Sequence, residues 1–236
     1  MTLRHSLFTL YITILLGINN TAFGQDWHAF ANIDRYSEAN TKLKQHSSSE
    51  NRFVFMGNSI TEAWPVISPE FFQNKDFIGR GISGQTTPQM LLRFRYDVID
   101  LKPKVVVLLA GTNDLAGNTG DTSIEAIVSN IQSMSELADQ NGVKVIISSV
   151  LPAIDFPWKP GREPAEKIVM LNSKLRNYAA KNKYIYVDYH SALVDDKGGL
   201  KVPDYTASTD LVHPNKKGYA VMEKLVKPAI AKALSK

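Results

Sequence analysis

The 236-residue chain contains no cysteine. That excludes disulfides, thiolate metal ligands, a cysteine nucleophile and a lipid attached through an N-terminal cysteine. Beyond its first two dozen residues it also lacks any apolar run long enough to span a bilayer. Dense basic runs are missing too. Its 27 Lys and Arg against 23 Asp and Glu give a net charge of +4, but the basic residues are scattered and not interleaved with aromatics. This argues against nucleic-acid binding. There is no Gly-x-x-x-x-Gly-Lys phosphate loop, no His-Glu-x-x-His and no Gly-x-Ser-x-Gly elbow, so nucleotide chemistry, a zincin site and an α/β-hydrolase nucleophile are all disfavoured.

What is present begins with a leader. Arg4 and His5 precede an apolar stretch from Leu7 to Ile18, and Ala22-Phe23-Gly24 supplies small residues at cleavage spacing. Residues 1–24 therefore read as a secretory signal peptide cut before Gln25, the alternatives being an uncleaved anchor or a buried first helix. The mature protein is expected to be periplasmic or secreted, with no membrane association once the signal is removed. The remaining residues 25–236 suit one domain with a substantial core.

Apolar runs and helical stripes alternate along that domain. Trp27, Phe30, Ile33, Tyr36 and Leu43 follow helical spacing, predicting a leading helix over 26–46 with His28 and His46 at its surface. Phe53 to Met56 reads as a buried strand, followed by a short helix carrying Trp64 and broken by Pro65 and Pro69. Lys75 to Gly84 reads as a second strand and a glycine-rich turn. A helix from about Pro88 to Asp100 precedes the uninterrupted apolar run Lys104–Ala110, the pattern of a central parallel strand buried on both faces. Thr122-Ser-Ile-Glu125 resembles a capping box, and Ile124, Ile127, Ile131, Met134 and Leu137 form the stripe of the helix behind it. A strand over Val143–Val150, a proline-rich loop from Leu151 to Pro164, a helix over 165–181, a strand over Tyr184–Asp188 and a last helix over 216–234 complete the chain. Five strands alternating with helices predict an α/β fold, a three-layer α/β/α sandwich around a parallel sheet of flavodoxin-like order 2-1-3-4-5.

That order gives the polar residues meaning. Sites on such sheets form at the carboxyl ends of the strands where the order reverses. Ser59 leaves strand one, Gly84 follows strand two and Asn113 follows strand three, so the fold sets the three loops side by side. Ser59 offers a hydroxyl nucleophile and a backbone N–H, Gly84 a backbone N–H without a side chain in the way, and Asn113 an amide donor for an oxyanion. A serine nucleophile needs a base. His213 follows Asp210 by three residues, a spacing that lets the carboxylate hold one ring nitrogen while the other takes a proton. The end of strand five lies roughly 14 Å from strand one at about 4.8 Å per strand, which a connection of some twenty residues spans easily. His190 is a weaker candidate base because no carboxylate stands at comparable spacing. Asp210 and His213 could also cap the last helix or ligate a metal, but no third ligand accompanies them.

Gly57-Asn-Ser59-Ile, Gly84 within Gly81-Ile-Ser-Gly-Gln-Thr-Thr87, Gly111-Thr-Asn113-Asp and Asp210-x-x-His213 resemble, in order, the four blocks of the SGNH (GDSL-like) hydrolases. The middle two are most similar to the platelet-activating-factor acetylhydrolase-like branch and its bacterial carbohydrate acetylesterases. The resemblance implies a serine esterase working through an acyl-enzyme without metal or cofactor: Ser59 as nucleophile, His213 as base and then acid, Asp210 orienting it, and Ser59 N–H, Gly84 N–H and the Asn113 side chain as oxyanion hole. The family usually has aspartate where this chain has Asn58. An amide keeps hydrogen bonds but not charge, and the loop is expected to survive the exchange. The expected substrate is a short-chain ester, an O-acetylated glycan foremost, with Trp64 and Trp158 either offering flat surfaces to a sugar or simply packing their loops. A lysophospholipase or thioesterase, and a non-catalytic carbohydrate-binding relative, are the competing readings.

Overall fold

The computed structural model describes residues 26–45 and 51–235. The leader over 1–24 and His46 lie outside the described residues. In chain order the elements are α1 (Trp27–Ala31), α2 (Ser37–Gln45), β1 (Phe53–Gly57), α3 (Ser59–Ile67), β2 (Phe77–Gly81) and α4 (Thr87–Asp97). Then come β3 (Val105–Leu109), α5 (Thr112–Leu115), α6 (Ile124–Gln140), β4 (Lys144–Ser148) and α7 (Ala165–Lys181). β5 (Ile185–Val187), α8 (Tyr189–Leu193) and α9 (Lys216–Leu234) close the domain. The five strands form a parallel sheet in the order β2-β1-β3-β4-β5. This is the expected arrangement.

Successive strand residues point to opposite faces, and the sequence supplies apolar residues to both. Val54, Met56, Val106, Leu108, Val145 and Ile147 pack under α4, α6 and α7. Phe53, Phe55, Val105, Val107, Leu109 and Ile146 pack under α3, α8 and α9. Burial on both faces explains why β3 reads as a continuous Val-Val-Val-Leu-Leu run, and each such side chain contributes roughly 1.5–3 kcal/mol.

Three local expectations need correction. The leading segment is not one helix: Asn32, at φ 51°, ends α1, and a short 3-10 turn over Ile33–Tyr36 intervenes before α2. Pro65 does not break α3 but sits inside it. The cap of α6 is Ser123, one residue later than the Thr122 box, with its Oγ accepting from Ala126 N–H at 3.1 Å. His28 is exposed, as expected.

The leading segment is fastened to α4 and β2 through polar groups. Asn40, 5 % exposed, donates to Asp97 Oδ1 at 2.7 Å and accepts from Arg80 Nε and Nη2 at 2.9 and 2.7 Å. The carbonyls of Ala31 and Phe30 accept from the Gln85 and Gln89 side chains, each at 2.7 Å.

Candidate active site

Every loop leaving a strand of a parallel sheet at its carboxyl end opens onto the same rim. Ser59, first residue of α3, follows β1 by two residues. The helix is started by Asn58, whose Oδ1 accepts from Ile60 N–H at 3.0 Å. An amide makes this cap as well as a carboxylate would, which accounts for the loop being formed with asparagine there. The close fit of β2 to this turn depends on Gly81: a Cβ there would lie 2.1 Å from Glu62 N and 2.6 Å from Asn58 O.

Ser59 Oγ lies 2.8 Å from His213 Nε2. His213 Nδ1 in turn lies 2.8 and 3.1 Å from the two carboxylate oxygens of Asp210. Leu211, between them, adopts φ 65°, turning the chain so tightly that Asp210 Oδ1 also accepts from the backbone N–H groups of Val212 and His213 at 3.2 and 2.8 Å. Burial raises the pKa of Asp210, but the hydrogen bonds from the His213 backbone and ring outweigh it and hold the carboxyl below its ordinary value. The carboxylate is thus ionised and selects the tautomer with the proton on Nδ1, leaving Nε2 as an acceptor for the serine hydroxyl. The loop is held at both ends: Thr206 Oγ1 donates to the His213 carbonyl at 2.9 Å, and Asn215 caps α9.

Gly84 occupies the third position of a tight turn closed by Gln85 N–H to the Ile82 carbonyl at 3.3 Å, and its φ of 76° suits glycine there. The central peptide of such a turn takes no part in the turn's own hydrogen bond, which leaves the Gly84 N–H outside it. Asn113, 3 % exposed, gives one amide hydrogen to the Gln85 carbonyl at 2.9 Å, which fixes the plane of the group that carries the second. Asp114, next to it, accepts from Thr87 N–H at 2.9 Å and from its Oγ1 at 2.5 Å, locking this loop to the start of α4. His190 is half-buried and burial lowers its pKa; its backbone N–H donates to Ser149 Oγ at 2.8 Å.

The two tryptophans part company. Trp64 is 1 % exposed and packs in the core among Phe55, Phe71 and Tyr219, stacked on Phe71 at 5.4 Å. It offers no surface to a ligand. Five residues beyond Ser59 is about 140° around a helix, which puts Trp64 on the inward face with Ile60. Its indole N–H reaches Glu223 on α9 at 3.1 Å, and Tyr219 OH donates to the Ile60 carbonyl at 2.7 Å. Through these bonds α3, which carries Ser59, is tied to α9, which follows His213. Trp158, by contrast, is 44 % exposed, with its ring 6.3 Å from that of His213 and backed by buried Phe156 at 5.2 Å.

Several residues that shape the site carry no sequence motif. Glu62 accepts from Ser83 N–H at 2.8 Å and from the Ser83 hydroxyl, and pairs with Arg35 at 3.0 Å. Arg93, fully buried, donates to the carbonyls of Gly57 and Arg80, each at 3.0 Å, and to Gln85 Oε1 at 2.5 Å. A lone arginine on the apolar Met90–Phe94 face of α4, four residues before Asp97, is the signal that could have found it.

A serine–imidazole–carboxylate chain at the carboxyl rim of a 2-1-3-4-5 sheet is the arrangement of a hydrolase of the SGNH type. Residues 55–221 match the GDSL-like Lipase/Acylhydrolase family model, and the chain belongs to that family, whose members are hydrolases acting on esters. A GDSL-like lipase from Bacteroides thetaiotaomicron VPI-5482 is similar over 86 % of this chain and 99 % of its own, with 50 % identity and a TM-score of 0.82. A catalytic mutant of an acetylxylan esterase from Geobacillus stearothermophilus shares the fold, with a TM-score of 0.60 at 16 % identity over 77 % of this chain and 94 % of its own. The uncharacterized lipoprotein YqeF of Bacillus subtilis (strain 168) is 36 % identical over 131 residues, which span 54 % of this chain and only 45 % of that protein. No helix among the described residues is long and apolar enough to cross a membrane.

Proposed function

We propose that this protein is an exported serine esterase that removes short acyl groups, acetyl foremost, from O-acylated carbohydrate. The observation that carries the reading is the hydrogen-bonded chain from Ser59 through His213 to Asp210, standing beside the exposed face of Trp158. In the first half-reaction Ser59 Oγ bonds to the ester carbonyl carbon as its proton passes to His213 Nε2. The carbonyl oxygen becomes an oxyanion, received by the N–H groups of Ser59 and Gly84 and by the free Asn113 amide hydrogen. When the intermediate collapses, the ester C–O bond breaks and His213 returns the proton to the leaving sugar hydroxyl. Water then repeats the sequence on the acyl-enzyme, releasing the acid and restoring Ser59. No metal or cofactor takes part in these steps. Export rests on the apolar leader that ends near Gly24.

Asn113→Ala is expected to lower kcat by roughly 10²–10³, the loss that follows removal of one oxyanion donor. Unchanged turnover in that variant would remove Asn113 from the oxyanion hole.

The substrate class is tested by comparing acetate release from acetylated xylan with hydrolysis of p-nitrophenyl esters of increasing acyl length. Activity that climbs with chain length and spares the glycan would favour a lysophospholipase or thioesterase. On the carbohydrate reading, Trp158→Ala should weaken action on acetylated xylo-oligosaccharides beyond any loss on p-nitrophenyl acetate. Loss of a ring contact worth about 1 kcal/mol corresponds to roughly fivefold in KM. An equal loss on both substrates would detach Trp158 from sugar recognition.

A further inference from the structure

The wall beside His213 and the turn bearing Gly84 meet on one side chain. Asn118 Nδ2 donates to the Gly84 carbonyl at 3.0 Å, and Asn118 Oδ1 accepts from the Trp158 indole N–H at 3.1 Å. Asn118 is itself held, its backbone N–H donating to the Asn113 carbonyl at 3.0 Å, while Lys159 Nζ donates to the neighbouring Gly117 carbonyl at 2.8 Å. Next to it, Thr119 Oγ1 lies 3.0 Å from Thr86 Oγ1.

We infer that Asn118 is a positioning residue for the oxyanion turn, coupling it to the aromatic wall at Trp158. This rests on the esterase reading above. Glycine is the residue least able to fix its own backbone, so the direction of the Gly84 N–H is set by what holds the peptides on either side. The preceding peptide is held by Glu62 through Ser83 N–H at 2.8 Å. The following peptide is held at its N–H by the Ile82 carbonyl and at its C=O by Asn118. Only the peptide between them keeps its N–H for an oxyanion. Removing Asn118 frees one of these restraints, and the N–H then has to be reordered during reaction, a cost that falls on the transition state rather than on substrate binding. A ligand lying on Trp158 bears on the same amide from its other side.

Asn118 is exposed, so replacing it should leave the fold in place. Asn118→Ala is expected to lower kcat on p-nitrophenyl acetate roughly tenfold, the worth of about one hydrogen bond, with KM and Tm little changed. Affinity for an alkylboronic acid, which forms a tetrahedral adduct with the serine, should fall by a similar factor. Asn118→Asp keeps the acceptor for the indole but faces Gly84 with a second acceptor, and should lose at least as much. Trp158→Phe, which keeps a ring and removes the N–H, should lower kcat about threefold alone and not at all in the Asn118→Ala background, because both act through one bridge. The inference is overturned if Asn118→Ala leaves kcat and boronate affinity at the wild-type level, if its loss follows a drop in Tm, or if the two substitutions act independently. Wild-type protein that neither hydrolyses the ester nor reacts with a fluorophosphonate at Ser59 would instead sink the esterase reading and this inference with it.

Discussion

Replacing Ser59 with alanine is expected to abolish ester hydrolysis while the domain stays folded. The substitution removes one oxygen from a half-buried side chain whose partner is His213 Nε2. It keeps the Cβ, and the cap of α3 belongs to Asn58 rather than to Ser59. Among the described residues no other hydrogen bond to that hydroxyl accompanies the one with His213, so the melting temperature should move little. The rate should fall on the order of 10⁶, the scale seen when a nucleophile or its base is deleted from such a unit. His213→Ala should do the same, and the double variant should be no worse than either single one, because a nucleophile without its base and a base without its nucleophile fail at one step. Steady-state turnover, fluorophosphonate labelling and a thermal melt on the four proteins decide the matter. A Ser59→Ala variant that retains more than a small fraction of turnover, with its contaminants excluded by titration, would overturn the nucleophile assignment.

The sheet was legible because its signals are local and redundant. β1 and β3 are apolar throughout, since both faces are covered, and α7 and α9 occupy the ranges read for them, 165–181 and 216–234. The leading segment misled for a specific reason: an α-helix and a 3-10 turn both bring every third or fourth residue to one side, so Trp27, Phe30, Ile33 and Tyr36 fit a single helix although Asn32 bends the chain between them. The juxtaposition of Ser59 with His213 could be anticipated from strand order and a three-residue spacing. Trp64 could not be placed by proximity to Ser59 along the chain; its helical pairing with Ile60 is the feature that decides its burial. Residues that act from behind, such as Glu62, Gln85 and Asn118, escape a sequence reading because each is defined by a partner 21 to 54 residues away.

Arg93→Met is expected to produce the largest loss of stability of any single change outside the core's apolar residues. Arg93 and Asp97 form an ion pair at 2.8 Å in which both side chains are fully buried. Burial pulls the pKa of Arg93 below its ordinary value, and Asp97 offsets this only in part. Methionine fills similar space but leaves Asp97 with Asn40 as its remaining side-chain hydrogen-bond partner, strips a donor from the carbonyls of Gly57 and Arg80, and leaves Gln85 Oε1 without its arginine. Breaking one side of a buried pair costs about 3–5 kcal/mol, a large share of the roughly 5–15 kcal/mol that holds a domain together. For a domain of this size that is a fall in Tm of roughly 10 °C. The same substitution reaches the site, since Gly57 precedes the Ser59 turn and the Gln85 carbonyl orients Asn113. Protein that remains folded at low temperature should therefore also turn over more slowly. Removing the stranded charge as well, in Arg93→Met with Asp97→Leu, should recover part of the stability, since an apolar pair can replace a buried ionic one, but not the rate, because the struts to Gly57 and Gln85 stay absent. Urea unfolding of the single and double variants, with kcat measured below the melting range, separates the two roles. A single variant within about 1 kcal/mol of wild type would mean that the strand ends hold their positions without the guanidinium, and an unchanged kcat in it that the site does not depend on it.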